Sequence, residues 1–556
     1  MAWSTFFLFW TGLTGVALLF LLGVLVHDVI LWRRMPPGPR PLPFVGNKFD
    51  ISPKHPWVQF QEWSKTYGPI YTLWFGRRPT IIISDPTVAV ELLEKRSNKY
   101  SSRPRFVVMG ELLWDGSAIL VKPYGKEWSV RRKALHSALT PRVLLNYRPV
   151  QEAEATRLCY HFLEDPSHFE PHLDRMTASI VFTIAYGHRV DSLQSPIIRQ
   201  RMKMMHRAAA TNVPGRYLAE SFPALARIPD ALAPWKREVK SWGLEEAAAN
   251  AQLLQYVRED IENAKLPGAA PLPYSLAKQL LEARDADPSS FALLRDRDFA
   301  SLPASIFGAG ADTTASTLCS SILGMITNQE VVEAAHAELD AVIGNARLPT
   351  YSDESDLPYI RALCKEVLRW RPVAVLGGTP HASSEPDNYN GYYIPSGTNI
   401  LGNTWAINRN EEYYPNPDHF NPLRFLDVDP ASLSYLPAKY VQGTAREKGR
   451  LQHPSKSGHS SFGWGRRICP GADLASANLF IALARMLWCF DIRPVKGQVY
   501  DTYDYTDGFN IRPNPYKCEI TIRSSRHEEV LRHGYEEAQG FLTKNFPLFK
   551  EHEIVV

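Results

Sequence analysis

The chain has 556 residues, of which 22% are charged and 45% hydrophobic, with a formal net charge of +4. That balance describes a globular chain with ample core and excludes a disordered one; it is too mild to mark a nucleic-acid binder, so no nucleic-acid partner is expected. Six cysteines, at positions 159, 319, 364, 469, 489 and 518, show no regular spacing and no C-x-x-C pair, which argues against a disulfide scaffold and for a reducing compartment.

Residues 1–26 contain no charged side chain, and apolar character resumes at 29–32. The run is long enough to span a bilayer core of about 30 Å. Arg33 and Arg34 follow it with no basic residue before it, which places the remainder on the cytoplasmic side. A cleaved signal peptide is the alternative, but the run is too long, with no basic n-region and no clear small-residue cleavage site. Residues 1–32 therefore read as a single-pass transmembrane anchor. The prolines of Met35-Pro-Pro-Gly-Pro-Arg-Pro-Leu-Pro-Phe-Val-Gly46 cannot form a helix and predict a stiff extended hinge over 33–46.

Next, 70–75 and 79–83 flank Gly76-Arg77-Arg78 and predict a β-hairpin, followed by helical pattern at 86–94. Helix-like runs dominate beyond it, at 128–139, 150–164, 173–186, 196–210, 236–264 and 299–327. A surface loop is expected at 267–273 and short strands at 391–394, 399–401 and 517–522. Residues 47–525 read as one catalytic body, mainly α with a small β-rich lobe. Residues 526–556 read as a partly helical tail without recognisable chemistry.

Within the apolar run 305–325 lies Ala309-Gly-Ala-Asp-Thr-Thr314. Gly310 inside a helix costs about 1 kcal/mol relative to alanine. Asp312, Thr313 and Thr314 are also poor mid-helix residues, and local rules broken together mark a functional site. Gly310 is expected to let a flat ligand approach the backbone. Thr313 is expected to open the helical ladder with its hydroxyl, and Asp312 to link that hydroxyl to solvent protons. A kinked core helix with back-bonded polar residues is the alternative.

Glu366 and Arg369 sit at i and i+3 on one helix face. Exposed, such a pair stabilises by well under about 1 kcal/mol. The most informative stretch is Phe462-Gly-Trp-Gly-Arg-Arg-Ile-Cys-Pro-Gly471. Gly465 and Gly471 permit backbone turns that a Cβ resists. Arg467, two residues before Cys469, supplies charge that favours a thiolate, as does the dipole of the apolar helix beginning after Gly471. A lone cysteine held this way suits one axial metal bond rather than a zinc site of about four ligands. The alternative is a glycine-rich turn around an inert cysteine.

Phe462, Gly465, Arg467, Cys469 and Gly471 match the haem-thiolate signature FxxGxRxCxG, and the chain resembles the cytochrome P-450 family, in particular its microsomal monooxygenases. Pro380-His-Ala-Ser-Ser384 and Gly402-Asn-Thr-Trp-Ala-Ile-Asn-Arg409 look most like filamentous-fungal members associated with secondary metabolism or xenobiotic hydroxylation. The resemblance implies the cytochrome P-450 fold behind an N-terminal transmembrane helix, with the proline-rich segment as its hinge. It implies heme b with Cys469 as the axial iron ligand and Phe462 beside the sulfur. Arg467, Trp128 and Arg132 of the WxxxR pattern, and His381 are implied propionate contacts. Asp312 and Thr313 become the acid–alcohol pair that delivers protons to dioxygen. Glu366 and Arg369, joined by Arg424 from Phe420-Asn-Pro-Leu-Arg-Phe425, become a buried network holding the proximal face. Leu423 stands where many members carry Glu, so an extra ion pair is not expected there.

The family's pocket wall falls on the loop after Tyr100 and on 202–229, 305–313, 373–379 and 508–511, and implies a lipophilic substrate. With no nicotinamide fingerprint and no flavin-like domain, electrons are expected from a membrane-bound NADPH-cytochrome P-450 reductase, with cytochrome b5 as auxiliary donor. Arg131, Lys133 and Arg466 are the expected basic docking face for it. The expected place is the endoplasmic reticulum membrane, with the body cytoplasmic. A haem-thiolate isomerase or dehydratase needing no reductase is disfavoured by the intact Asp312-Thr313 pair; a non-enzymatic haem sensor is the third reading.

Overall fold

The computed structural model describes residues 2–211, 213, 216–437 and 451–549. Residues 212 and 214–215 of the expected pocket wall, and 550–556 of the expected tail, lie outside the described residues. Helix α1 (Ala2–Arg34) holds the apolar run, and its Trp10–Arg34 portion, with an 18-residue window of mean hydropathy 2.2 in which no residue is buried, is long and apolar enough to cross a membrane. The helix includes both arginines, so the extended connector starts at Met35 rather than at 33. That connector is stitched to the body: Thr72 N–H donates to Pro37 O at 2.8 Å and Asn47 N–H to Trp74 O at 2.7 Å. A side chain on Gly38 would overlap the Thr72 carbonyl.

Strands β1 (Ile70–Phe75) and β2 (Arg78–Ile83) form the expected hairpin, in register Ile70↔Ile83. Their residues alternate between two apolar layers, with Ile81 and Ile83 on one side and Ile82 on the other, as a sheet covered on both faces requires. Strand β3 (His381–Ala382) is antiparallel to β6 (Asn399–Gly402), which runs parallel to β2; the sheet order is β1-β2-β6-β3. Between them in sequence, β4 (Asp387–Tyr389) and β5 (Tyr392–Ile394) pair as a separate ribbon, and β7 (Phe490–Pro494) pairs with β8 (Cys518–Ile522) near the C-terminus. The expected helix at 86–94 is instead a short α-turn, Pro86–Ala89, capped by Asp85 and continued as a π-helical segment, Val90–Lys95.

The helical part is organised by α6 (Asp296–Thr327), whose 32 residues span about 48 Å. Before it come α2 (Lys126–Ser137), α3 (Arg148–Glu164), α4 (Phe169–Tyr186) and α5 (Pro234–Asn263); after it come α7 (Pro358–Trp370), α8 (Ala472–Cys489) and α9 (Ser525–Asn545). Several helices start two to four residues before the apolar pattern does, because polar first turns carry no hydrophobic signal. In α6 that turn is tied by the Asp298 carboxylate, which accepts the Arg295 N–H at 3.0 Å. Leu318 and Ile322 of α6 and Leu483 and Leu487 of α8 are fully buried in one continuous core with α4. Helix α9 does not behave as a separate tail. Leu531 and Leu542 are fully buried, and Tyr535 stacks on Tyr160 of α3 with ring centres 3.7 Å apart.

Candidate active site

The cysteine loop closes through Cys469 N–H, which donates to Phe462 O at 2.8 Å. Gly465 has φ +56° and lies so close to Leu93 O of the π-helical segment that a Cβ would overlap it. Gly471 differs from expectation. Its φ is −97° and a Cβ there would meet nothing within 4 Å, so no turn demands glycine. Its role is electronic: it is the N-cap of α8, and its N–H is directed at the Cys469 sulfur. Burial pushes the Cys469 thiol up, while the Gly471 N–H and Arg132 pull it back. The cation acting on the sulfur is thus Arg132, not Arg467 as the spacing suggested. Phe462 is half-buried against His459, ring centres 5.7 Å apart.

Arg467 turns toward α2. Its Nε donates to Ser101 O and its Nη2 to Lys122 O, both at 2.7 Å, and its guanidinium lies 4.4 Å from the centre of the Trp128 ring. Arg103, which sequence reasoning missed, joins it, donating from Nη1 to Thr379 O and from Nε to Leu120 O. His381 is set by the β3–β6 pairing, and its Nδ1 bonds Tyr100 O at 2.7 Å. Burial, with Arg103 and Arg132 beside it, pushes the Arg467 guanidinium down to about 9. Burial pushes Arg103 down to about 10, and burial with Arg103 and Arg467 nearby pushes His381 down to about 3. Arg132 is lowered by burial. No carboxylate among the described residues pairs with Arg103, Arg132 or Arg467. Partly buried charge without a counter-ion carries a cost even when it donates to carbonyls, so this pocket favours an anionic guest. The residues present fit haem b: the arginines would hold its two carboxylates and Cys469 its iron.

On the distal side, Thr313 Oγ1 donates to Ala309 O at 2.7 Å, the expected diversion of the helical ladder. Gly310 does not face a ligand. A Cβ there would stand 2.6 Å from Val181 Cγ1, so the glycine admits α4. Asp312 Oδ2 accepts from Asn510 Nδ2 at 3.1 Å. The Asn510 loop is held by Ile511 N–H donating to Val373 O at 2.9 Å. The next residue, Arg512, donates to Asp174 Oδ1 at 2.7 Å. Asp174 is pushed up by burial, with Arg512 opposing and Asp312 adding to it. Asn510 lies in the expected pocket-wall turn 508–511, but no local motif pointed to its bond with Asp312 or to Arg512 and Asp174.

Glu366 and Arg369 are fully buried and bidentate, at 2.6 and 2.7 Å. Asn421 N–H also donates to Glu366 Oε1 at 2.8 Å, and Arg424 Nε stands 3.7 Å from the same oxygen, an ion pair longer than a hydrogen bond. Arg369 Nη1 donates to Asn408 O at 3.0 Å. The Asn408 side chain then bonds Ser460 N–H and Ser461 Oγ, both at 2.9 Å, directly before the cysteine loop. Asn408 therefore links the network to Cys469. Arg131 is not on the expected basic face. It is fully buried and pairs with Asp298 at 3.1 Å, tying α2 to α6. Lys133 and Arg466 remain exposed, Arg466 over the Tyr124 ring at 5.1 Å.

This helical body, with its small sheet, lone-cysteine loop and anion-seeking pocket, has the features that a haem-thiolate oxidoreductase requires. The family model for Cytochrome P450 matches residues 36–520. "Cytochrome P450 monooxygenase 58" of Postia placenta is 36% identical over 88% of this chain and 89% of its own. A cytochrome P450 monooxygenase of Armillaria gallica is 35% identical over 90% and 92%. "Cytochrome P450 monooxygenase FrzL" of a Cladobotryum species is 33% identical over 91% and 92%. The chain belongs to the cytochrome P450 family and is an oxygen-incorporating oxidoreductase.

Proposed function

We propose that this chain is a membrane-anchored haem-thiolate monooxygenase that inserts one atom of dioxygen into a lipophilic organic substrate, in fungal secondary metabolism. The observation that carries it is the group of half-buried arginines beside Cys469, Arg103, Arg132 and Arg467, that lack any carboxylate of their own among the described residues. Arg103, Arg132, Arg467 and His381, with Trp128 along one edge, would hold the carboxylates of haem b, and Cys469 would hold its iron. Haem, when bound, supplies the activation of dioxygen. The protein supplies the rest. Glu366, Arg369 and Asn408 hold the cysteine loop at a set height. Asp312, tethered by Asn510, takes protons from the solvent side and passes them to the Thr313 hydroxyl, which leaves Ala309 O to donate inward. Electrons come from an NADPH-cytochrome P-450 reductase, with cytochrome b5 as a second donor, docking near Lys133 and Arg466. Arg33 and Arg34 favour an endoplasmic reticulum anchor with the body in the cytosol.

The test is a carbon-monoxide difference spectrum of the reduced, haem-loaded protein beside Cys469→Ser. The wild type is expected to show the red-shifted Soret band of a thiolate-ligated haem, and the variant to lack it. NADPH and dioxygen consumption with added reductase then reports turnover. A wild type without the shifted band overturns the proposal.

A further inference from the structure

A cavity of about 340 Å³ lies between the loop at 105–112, the 3-10 turn Pro223–Arg227 and the first turns of α5. Small-molecule sites have volumes of about 300–1,000 Å³, so it is large enough for one. None of its lining residues belongs to the haem site. One side is apolar, where Leu112 and Ala226 pack on a core of Val107, Val108 and Val239. The other side is cationic, lined by Arg105, Arg227, Lys236 and Lys240 with Glu111 as the acid among them.

The acids nearby do not balance these cations. Glu111 is held by Arg105 through two bonds, at 2.5 and 3.0 Å. Lys236 and Lys240 stand one turn apart on α5 and share a single carboxylate, Asp230, at 2.8 and 2.6 Å. Like charges at that spacing repel, so both draw on the same anion. Hydrogen bonds from Lys236 and then Lys240 pull the Asp230 carboxyl down to about 2. Lys236 is buried, and a further bond to Ile228 O at 2.9 Å fixes its ammonium. Arg227 pairs with no carboxylate among the described residues. Glu220 is engaged elsewhere: it accepts the Val108 N–H at 2.7 Å and the Val107 N–H at 3.1 Å, at the start of a second π-helical segment, Val107–Leu113. A guest that satisfies both sides of the cavity carries an anionic head on an apolar body.

We propose that this cavity is an acid-recognition site: it takes a lipophilic carboxylic acid, with the carboxylate at Arg227 and Lys240 and the apolar body along Leu112 and Ala226. Arg105 follows Arg103 of the haem site by two residues, so their Cα atoms are no more than about 7 Å apart and the cavity adjoins the haem pocket. On the monooxygenase reading, on which this part rests, the acid is the substrate.

The test uses full-length, haem-loaded protein in a neutral detergent, dialysed to equilibrium against labelled dodecanoate, abietate or the methyl ester of each. At least one acid is expected to bind about tenfold or more tightly than its ester, the worth of one charge-assisted hydrogen bond. Arg227→Glu should abolish that preference while leaving ester affinity and circular dichroism unchanged. Lys544→Glu, at an exposed position on α9, should leave the preference intact. Equal affinities for acid and ester, or a preference that survives Arg227→Glu, overturns the site. If Arg227→Glu weakens adhesion to phosphatidylserine vesicles but not acid binding, the cations serve a lipid surface and the site is overturned as well. Acid binding should also perturb the Soret band; binding that leaves it unmoved overturns the substrate role. The carbon-monoxide band of the same samples separates the two readings. A normal thiolate band without acid preference overturns this site alone, and acid preference without the band overturns the monooxygenase reading and the substrate role with it.

Discussion

Arg132 shows how one residue separates ligand binding from folding. It has no carboxylate partner among the described residues, burial lowers it, and its charge reaches the Cys469 sulfur. In the empty protein such a cation is a cost; beside a ligand carboxylate it becomes a contact. Arg132→Leu should therefore weaken haem retention by about 10- to 100-fold, the equivalent of one charge-assisted hydrogen bond of roughly 1.5–3 kcal/mol. The melting temperature of the haem-free protein should hold or rise. Haem per chain by pyridine haemochromogen absorbance, set beside calorimetry of the haem-free form, checks both; a fall in both would make Arg132 structural. Cys469, Trp128 and Arg132 were legible in the sequence because each sits in a motif a few residues long. Arg103 was not, since its place depends on Thr379, 276 residues away. The same holds for Asn510, whose partner Asp312 is 198 residues distant. Gly471 and Arg467 were legible as site residues, but spacing alone assigned them the wrong tasks.

At the scale of elements, α4 and α6 set the geometry of the distal side. Their close approach depends on Gly310, which has no room for a methyl group against Val181. In an isolated helix Gly310→Ala would gain about 1 kcal/mol. Here overpacking of a core contact costs roughly 1–3 kcal/mol, so a net loss of up to about 2 kcal/mol is expected. Val181→Ala should recover part of it, giving a non-additive double-mutant cycle. Gly308, two residues earlier, has nothing within 4 Å of its would-be Cβ, so Gly308→Ala should follow propensity and stabilise. Urea unfolding of the four variants decides the matter. If Gly310→Ala stabilises as Gly308→Ala does, the close-packing account fails. Helix existence was legible from apolar period, but which helix a face meets was not. Gly310 was visible as an anomaly, yet one sequence cannot say whether the missing side chain makes way for a ligand or for Val181. Arg131 failed for a related reason: a surface arginine and one paired with Asp298 across two helices read alike.

The whole molecule is larger than its family core. Residues 521–549 lie beyond the matched region, yet they are part of the packed body. After α9 the chain crosses to the segment just past α4, where Arg189 N–H donates to Pro547 O and Phe549 N–H to Arg189 O, both at 3.1 Å. This delivers the Phe549 ring among Phe182, His188 and Tyr256, with centroid separations of 5.4, 6.0 and 4.9 Å. Phe182 meets Phe307 edge-on, and Phe307 lies on α6 five residues before Asp312. The C-terminal arm therefore braces α6 from behind, through Phe182. Deleting a buried phenylalanine ring costs about 3–5 kcal/mol, the upper part of that range applying where neighbours cannot collapse. With Phe182 and Tyr256 held by their own helices and His188 bonded to Asp260 at 2.6 Å, Phe549→Ala is expected to destabilise by about 3 kcal/mol or more. Phe549→Leu should restore most of it, and Leu548→Ala, at an exposed neighbour, should change stability by no more than about 0.5 kcal/mol. Hydrogen exchange locates the effect: Phe549→Ala should speed exchange in α4 and the middle of α6 while leaving the β1–β2 sheet unchanged. Uniform acceleration, or a loss no larger than that of Leu548→Ala, would mean the arm is an appendage rather than a brace.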